Sequence, residues 1–201
     1  MQILLVCLWV LLYSLIPILN NNIKRNIISA IHSILTVILC TYQDPYYIYY
    51  ISTSYYTYDM VLQLLGTQKM LNVSTISLGI HHIIAVYSLQ FIINGPKEFT
   101  DPFLYMFMLL ELSNFPVYIM YHWKQTNGKK NDDNDNGYIL IITKILLTIE
   151  IIIYFTLRLT YSLYILIVNS NSMPTEILII SAMLYLLSIF WWVSMLNQIR
   201  K

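Results

Sequence analysis

Long runs of apolar residues, with most of the charges grouped between them, are the feature that most limits what this chain can fold into. A helix needs about 20 apolar residues to cross the hydrocarbon core of a bilayer. Seven segments of the 201-residue chain approach or exceed that length: 2–19, 27–43, 46–65, 75–94, 102–123, 138–168 and 175–197. The pattern predicts an all-α, polytopic membrane protein with about seven transmembrane helices.

Composition excludes a soluble globular domain. Hydrophobic residues make up 58% of the chain and charged residues only 10%, whereas a soluble domain usually carries about 25% charged residues. The net charge of +1 indicates neither nucleic acid nor an acidic substrate as a partner. Cys7 and Cys40 both lie inside apolar segments, where they are expected to pack rather than to form a disulfide or a metal site.

The basic residues fall almost entirely on one face of the predicted bundle. With seven spans, alternate loops share a face, and the one we call the basic face carries Lys24, Arg25, Lys69, Lys124, Lys129, Lys130, Arg200 and Lys201. The opposite face carries only Lys97, while Lys144 lies near the basic end of its span. The positive-inside rule makes the basic face cytosolic. The N-terminus is therefore expected to be lumenal or external and the C-terminus cytosolic.

Two segments have alternative interpretations. Residues 2–19 could be a cleaved signal peptide, but they lack a basic leading region and a small-residue cleavage site, so a retained helix is favoured. Residues 131–136 alternate Asn and Asp like part of a calcium-binding loop. They lack the terminal Glu and the spacing of such a loop, so a solvated loop is favoured.

Seven ionisable residues fall inside the predicted spans: His32, Asp59, His81, His82, Glu111, Glu150 and Arg158. Ionisable groups at membrane depth are costly, and each is a functional hypothesis by default. The topology places His32, Asp59, His81 and His82 in the cytosolic half and Glu111 near the middle of its span. Together they predict an interior cavity or a polar seam.

Helical spacing places many of these groups on common faces. Pro116 is expected to kink the fifth span. The expected stripes are Arg25, Ser29 and His32; Ser52, Tyr55 or Tyr56, Asp59 and Gln63; Ser74, Ser77, His81, Ala85 and Ser88; and Glu111, Phe115, Tyr118 and His122.

The adjacent histidines indicate acid–base or nucleophilic chemistry. A neutral imidazole can attack a thioester or accept a proton from an amine or a hydroxyl, and a carboxylate can orient the ring. Asp59 is the expected partner for His81 or His82, because it lies at a similar depth. The alternative is that these groups only hydrogen-bond neighbouring helices and fix their packing. Their dispersed spacing argues against a zinc site, and no metal site is predicted.

Six short motifs follow one another along the chain: 25–32, 54–59, the histidine pair 81–82, 111–116, 155–158 and 191–200. Their order and spacing resemble the TLC domain, which is named for the translocating-chain-associating protein, the longevity-assurance ceramide synthases and a ceroid-lipofuscinosis protein. The stretch 111–116 makes the resemblance closer to the short TLC-domain-containing proteins than to full ceramide synthases.

The resemblance implies that residues 24–201 form a TLC domain of six core helices around a central cavity, preceded by an additional transmembrane helix within 1–23. It implies multi-pass insertion in the endoplasmic reticulum and a role in sphingolipid metabolism. Ceramide synthases of this family transfer an acyl group from acyl-CoA to a sphingoid base to form ceramide, using the paired histidines. By that resemblance His81 and His82 would be catalytic, and Asp59 would orient one of them.

The same resemblance gives the other ionisable groups a lesser role. His32, Glu111, Glu150 and Arg158 would line the cavity or support it. Acyl-CoA would be a co-substrate rather than a bound cofactor, and membrane lipids would be the partners.

Ile83, Ile84 and Ala85 depart from the synthase pattern that follows the histidine pair. Members of the shorter branch are linked to sphingolipid synthesis, membrane fluidity or phospholipid composition. The alternative to acyl transfer is therefore a non-catalytic lipid-binding regulator of membrane lipid composition or trafficking. A trafficking accessory that binds other membrane proteins is a third hypothesis.

The predicted orientation can be tested at a glycosylation sequence, Asn72-Val73-Ser74. This sequence is expected in a cytosolic loop, so no glycan should be attached. The measurement is the electrophoretic shift after endoglycosidase treatment, with an acceptor sequence appended to the N-terminus as the positive control. A glycan on Asn72 would show that the predicted orientation is inverted.

Overall fold

The computed structural model describes residues 1–17, 20–66, 73–127 and 136–199. Within these ranges all regular structure is helical, which confirms the all-α prediction. Five helical stretches in these ranges are long and apolar enough to cross a membrane: 21–41, 76–94, 97–127, 137–169 and 175–198. The predictions for Lys69, Lys129, Lys130, Arg200, Lys201, the Asn72 glycosylation sequence and the loop 131–135 concern residues outside the described ranges.

The helices have the following bounds: α1 Gln2–Leu15, α2 Asn21–Thr41, α3 Pro45–Gly66, α4 Val73–Asn94, α5 Lys97–Leu112, α6 Asn114–Asn127, α7 Asn136–Ile153, a π-helical segment Tyr154–Tyr161, α8 Ser162–Asn169, a 3₁₀ turn Ser170–Ser172 and α9 Thr175–Ile199. Helix α1 is about 21 Å long at 1.5 Å per residue, and the tyrosines of α3 lower its hydropathy. Neither is among the five apolar stretches, so the count of seven spans stays a prediction.

Polar side chains in the turns cap the helices that follow them. The Asn20 side chain accepts hydrogen bonds from the amides of Asn22 and Ile23 at the start of α2. Asp44 does the same for two amides at the start of α3. These side chains satisfy backbone donors that have no partner inside the helix. Gln43, in the turn before Asp44, has a positive φ of 53°.

Helices α5 and α6 form one stretch with a local interruption. Proline has no amide hydrogen, so Pro116 leaves the carbonyl of Leu112 without its helical donor. The α-helix is interrupted one residue later, at Ser113. The Ser113 hydroxyl donates to the Leu110 carbonyl at 2.6 Å. The predicted effect of Pro116 therefore takes the form of a break between two helices.

Helix α7 continues into a π-helical segment, Tyr154–Tyr161. Such segments are rare and occur frequently at functional sites. The hydroxyls of Thr160 and Ser162 donate to carbonyls five residues earlier, as the wider turn allows. Tyr154 and Arg158 are both buried on this segment.

Six helical rods pack as a closed ring. Helix α2 packs on α3 and on α5 and α6, α3 packs on α4, and α4 packs on α9. Helix α9 packs on α7 and the π-helical segment, and α7 returns to α6. Helix α1 lies outside the ring against α2 and α3. The buried Trp9 attaches it there by donating to the Ser54 hydroxyl at 3.0 Å.

One half of the ring is filled by apolar side chains. Leu89 and Ile92 of α4 are buried with Phe99 and Phe103 of α5 in one cluster, where these two helices pack together. Many apolar side chains instead cover the exterior: Leu4, Ile83, Leu140, Ile152, Ile167 and Leu186 are each more than half exposed. An apolar exterior of this extent is typical of a membrane-facing surface.

Gly95 marks the tight junction between α4 and α5. A Cβ atom there would lie 2.7 Å from the Phe91 carbonyl oxygen and 2.9 Å from Cδ1 of Phe99. We expect Gly95→Ala to lower the free energy of unfolding by roughly 1–3 kcal/mol because of this overlap. The measurement is unfolding of the detergent-solubilised protein.

Gly79→Ala is the matched control. Nothing lies within 4 Å of a Cβ at this position inside α4, so alanine should stabilise the helix by about 0.5–1 kcal/mol. Equal effects at Gly79 and Gly95 would contradict the packing at the α4–α5 junction.

Candidate functional site

A cavity of about 330 Å3 lies inside the half of the ring that apolar side chains do not fill. All six rods of the ring contribute lining residues, and α1 contributes none. Its size falls within the range of small-molecule sites, roughly 300–1,000 Å3. The lining comes from the first half of α2, the later part of α3 and the early part of α4. The rods of α5 and α6, of α7 and of α9 complete it.

Six of the seven ionisable residues predicted inside the spans line this cavity: His32, Asp59, His81, His82, Glu111 and Arg158. Glu150 does not. It is buried on α7 one turn before Tyr154, but it lies outside the lining of the cavity. A supporting role for Glu150 stays a prediction.

Asp59 is held in place by Arg25. The Arg25 guanidinium donates from Nε to Oδ1 at 2.6 Å and from Nη2 to Oδ2 at 2.8 Å. Gln63 adds a third hydrogen bond, to Oδ2, at 3.1 Å. A two-point arginine–carboxylate contact is among the strongest side-chain interactions. The sequence placed Arg25 only on the basic face and in the α2 stripe, and did not pair it with Asp59.

His82 lies beside this ion pair without joining it. Its Nδ1 is 3.7 Å from Oδ2 of Asp59, which is beyond hydrogen-bond distance. Its ring stacks on Tyr56 with centroids 5.0 Å apart. The predicted Asp59–His82 partnership is therefore close in space, but the carboxylate bonds Arg25 instead.

His81 occupies a neighbouring part of the wall. Its ring meets Trp191 edge-on, with centroids 5.2 Å apart, and lies 5.7 Å from the ring of His82. Within the described part of the chain, the buried Nδ1 atoms of both histidines have no hydrogen-bond partner. Among the described residues, no hydrogen bond from a neighbouring side chain therefore holds either ring through this nitrogen.

His32 differs because its ring is engaged by its neighbours. It stacks on Tyr55 with centroids 3.9 Å apart. Its Nε2 lies 3.2 Å from the hydroxyls of Ser52 and Thr36. Its Nδ1 is 3.9 Å from Oε2 of Glu111. These contacts favour a role for His32 in helix packing rather than in chemistry.

Glu111 connects three rods. Its carboxylate accepts hydrogen bonds from Ser33 of α2 at 2.5 Å, Tyr56 of α3 at 2.9 Å and Asn114 of α6 at 3.3 Å. Tyr56 is also the ring on which His82 stacks. Glu111 therefore helps to position His82 through Tyr56.

Arg158 lies on the same side of the cavity as His81, because both side chains contact Trp191. Its Nε donates to the Ser188 hydroxyl at 3.0 Å and its Nη1 to the Asn114 amide oxygen at 2.8 Å. The guanidinium lies over the rings of Tyr154 and Trp191. The sequence identified Arg158 but missed Asn114, Tyr154 and Trp191, although Tyr154 precedes Arg158 by four residues.

The predicted stripe Glu111, Phe115, Tyr118 and His122 is only partly correct. Glu111 and Tyr118 line the cavity. Phe115 instead faces an apolar groove between α6 and α7, and His122 is exposed. The face that lines the cavity instead runs through Glu111, Asn114, Tyr118 and Tyr121, at spacings of three, four and three residues. Helical spacing therefore continues across Ser113, and the packing selects a face that differs from the predicted one. Among the described residues, no group of three or more His, Cys, Asp or Glu could hold a metal ion.

The Arg25–Asp59 pair makes a stability prediction. Arg25→Gln leaves a buried carboxylate without its counter-ion and should lower the free energy of unfolding by roughly 3 kcal/mol. Adding Asp59→Asn removes that unpaired charge and should restore most of the loss. Unfolding of the two single variants and the double variant in detergent measures the coupling.

Lys124→Gln serves as the control, because Lys124 is an exposed cation that donates a hydrogen bond to the neutral side chain of Gln198. Its effect should stay within about 0.5 kcal/mol. Additive effects of Arg25→Gln and Asp59→Asn would contradict an energetically important ion pair.

Comparison with known proteins gives no family assignment. No family model matches the chain, no curated protein matches it, and no solved structure matches it. The resemblance to the TLC domain stays a prediction.

Proposed function

We propose that this is a multi-pass membrane protein of the TLC type that transfers an acyl group from acyl-CoA to a long-chain amine. One observation carries the proposal: two adjacent histidines, His81 and His82, line a polar cavity inside a bundle whose exterior is apolar. Their buried Nδ1 atoms have no partner in the described part of the chain. An imidazole that lines such a cavity can act as a nucleophile or a general base.

The cavity would take the reacting ends of both substrates. A volume of about 330 Å3 cannot hold two hydrocarbon chains in addition to these reacting ends. The chains would therefore remain in the surrounding lipid. The apolar exterior suits that arrangement. The substrate class comes from the resemblance to ceramide synthases, and the endoplasmic reticulum comes from the same source.

The transfer can proceed through one of the two imidazoles. The ring nitrogen attacks the thioester carbonyl, an N–C bond forms, the C–S bond breaks, and the CoA sulfur leaves as the thiol with the ring proton. The amine then attacks the acyl-imidazole carbon, the amide bond forms, and the amine proton passes to the released imidazole. Alternatively, the imidazole acts as a general base and accepts the amine proton while the amine attacks the thioester carbon directly. The C–S bond then breaks, and the imidazolium returns that proton to the departing CoA sulfur.

Asp59 would orient His82 during this reaction. A shortening of the 3.7 Å separation between Oδ2 and Nδ1 would form the hydrogen bond. Catalytic hydrogen bonds are often long without substrate and tighten when it binds. The carboxylate would then share its oxygens between Arg25 and His82.

The positions of the basic residues support access from the cytosol. Lys24 and Arg25 begin α2 and Lys124 lies near the end of α6, on the half of the ring that holds the cavity. Lys97 begins α5, next to the apolar half. We propose that the basic face is cytosolic, so that acyl-CoA would reach the cavity from that side.

A second candidate is a non-catalytic lipid-binding regulator. The observation that favours it is the state of Asp59, whose two oxygens are bonded by Arg25 and Gln63 rather than by an imidazole. In this alternative the polar groups fix the helices and bind a lipid head group without turnover.

Lipid mass spectrometry of expressing cells separates the two candidates. Wild-type protein should raise the level of ceramides or another N-acyl lipid. His81→Ala or His82→Ala should reduce that rise by about a hundredfold, because a positioned acid–base group contributes at least that factor. Protein levels and membrane insertion are matched between strains.

His122→Ala is the control, since this exposed histidine lies outside the cavity, and it should keep full product formation. Full product formation by a His81→Ala/His82→Ala double variant would exclude histidine catalysis. A change in lipid composition that persists in that double variant would favour the regulator.

A further inference from the structure

Arg158 is a buried cation with only neutral hydrogen-bond acceptors. Its side chain lies on the π-helical segment, and the residue is 3% exposed. It donates to the Ser188 hydroxyl, the Asn114 amide oxygen and, at 3.4 Å, the Leu110 carbonyl. Within the described ranges, no acidic oxygen lies within 4.0 Å of it. A buried charge that lacks a counter-ion is costly.

The two acidic residues of the cavity are engaged elsewhere. Asp59 is paired with Arg25. Glu111 accepts from Ser33 and Tyr56, and from the amide nitrogen of Asn114. The same Asn114 side chain accepts from Arg158 through its oxygen. The asparagine amide thus stands between Glu111 and Arg158 and keeps them from forming a direct ion pair.

Aromatic rings fix the position of the guanidinium. Its central carbon lies 5.2 Å from the ring centre of Tyr154 and 5.5 Å from that of Trp191, distances at which a ring face attracts a cation. Trp191 also contacts His81, which lines the same cavity. The cation and an imidazole with an unpartnered Nδ1 therefore share one wall.

We propose that Arg158 binds the anionic group, a phosphate or a carboxylate, of an amphipathic ligand that enters the cavity. An arginine presents several N–H donors in a plane and suits both anions, and an imidazole N–H of His81 would add a donor. The inference rests on the proposed lipid-binding role of the cavity and requires no acyl transfer. It assigns a negative charge to the ligand, whereas the proposed reaction does not specify the charge.

Binding to the purified full-length protein in neutral detergent tests this directly. The probes are 1-oleoyl lysophosphatidate, oleate and uncharged monoolein, which carry the same chain, and the measurement is native mass spectrometry. Wild-type protein should bind both anionic probes about ten- to a hundredfold more tightly than monoolein, the usual effect of a hydrogen bond to a charged group. Equal affinity for the three probes would overturn the proposal.

Variants then assign the preference to Arg158. Arg158→Gln should abolish the preference, Arg158→Lys should retain part of it, and Lys124→Gln, an exposed cation outside the cavity, should retain all of it. A preference that survives in folded Arg158→Gln would overturn the proposal. If Arg158→Gln does not fold, Arg158→Lys decides, because an unchanged preference in that variant would contradict binding by the planar guanidinium.

Coenzyme A without an acyl chain distinguishes two sources of the anion. Displacement of bound lysophosphatidate by coenzyme A supports a phosphate of the acyl donor at Arg158, and persistence of the lipid supports a lipid head group. Binding is measured without turnover, so the outcome is separate from acyl transfer. A His82→Ala variant that loses product and keeps the anion preference would uphold both proposals.

Discussion

The hydrogen bonds to the Glu111 carboxylate hold together the three rods on one side of the cavity. Ser33, Tyr56 and Asn114 each reach this side chain from a different helix. In an apolar environment, a buried carboxylate is tolerated only when its oxygens are satisfied. The same contacts fix Tyr56, which stacks on His82, and Asn114, which contacts Arg158. The geometry of the candidate site therefore depends on a residue that need not react.

The two cavity arginines differ in how their charges are balanced. Arg25 is matched by the Asp59 carboxylate at two points, and this pair joins α2 to α3. Arg158 meets only neutral oxygens and aromatic rings in the described structure. The first arrangement is complete by itself, whereas the second leaves room for an anion. Arg25 therefore belongs with the proposed acyl transfer, since it holds Asp59 beside His82. Arg158 belongs with the proposed negative charge of the ligand.

Much of the fold could be predicted because it follows from local properties of the chain. Apolar runs and turn residues such as Asn20 and Asp44 give the helices and their starts. The α2 stripe of Arg25, Ser29 and His32 lines the cavity as expected, since α2 is a regular helix. The stripe through Phe115 and His122 failed because the neighbours three residues on, Asn114 after Glu111 and Tyr121 after Tyr118, face the cavity instead of those four residues on. Spacing alone does not choose between these two neighbours.

The sequence by itself determined that the chain is helical, that its exterior is apolar and that several ionisable groups lie inside it. Only the tertiary structure decided how those groups pair. Asp59 lies at the depth of His82, yet it bonds Arg25, which is 34 positions away along the chain. Glu150 is buried like Glu111 but lies outside the cavity. Spacing fixes the face of a helix, but the partner depends on which faces meet when the rods pack.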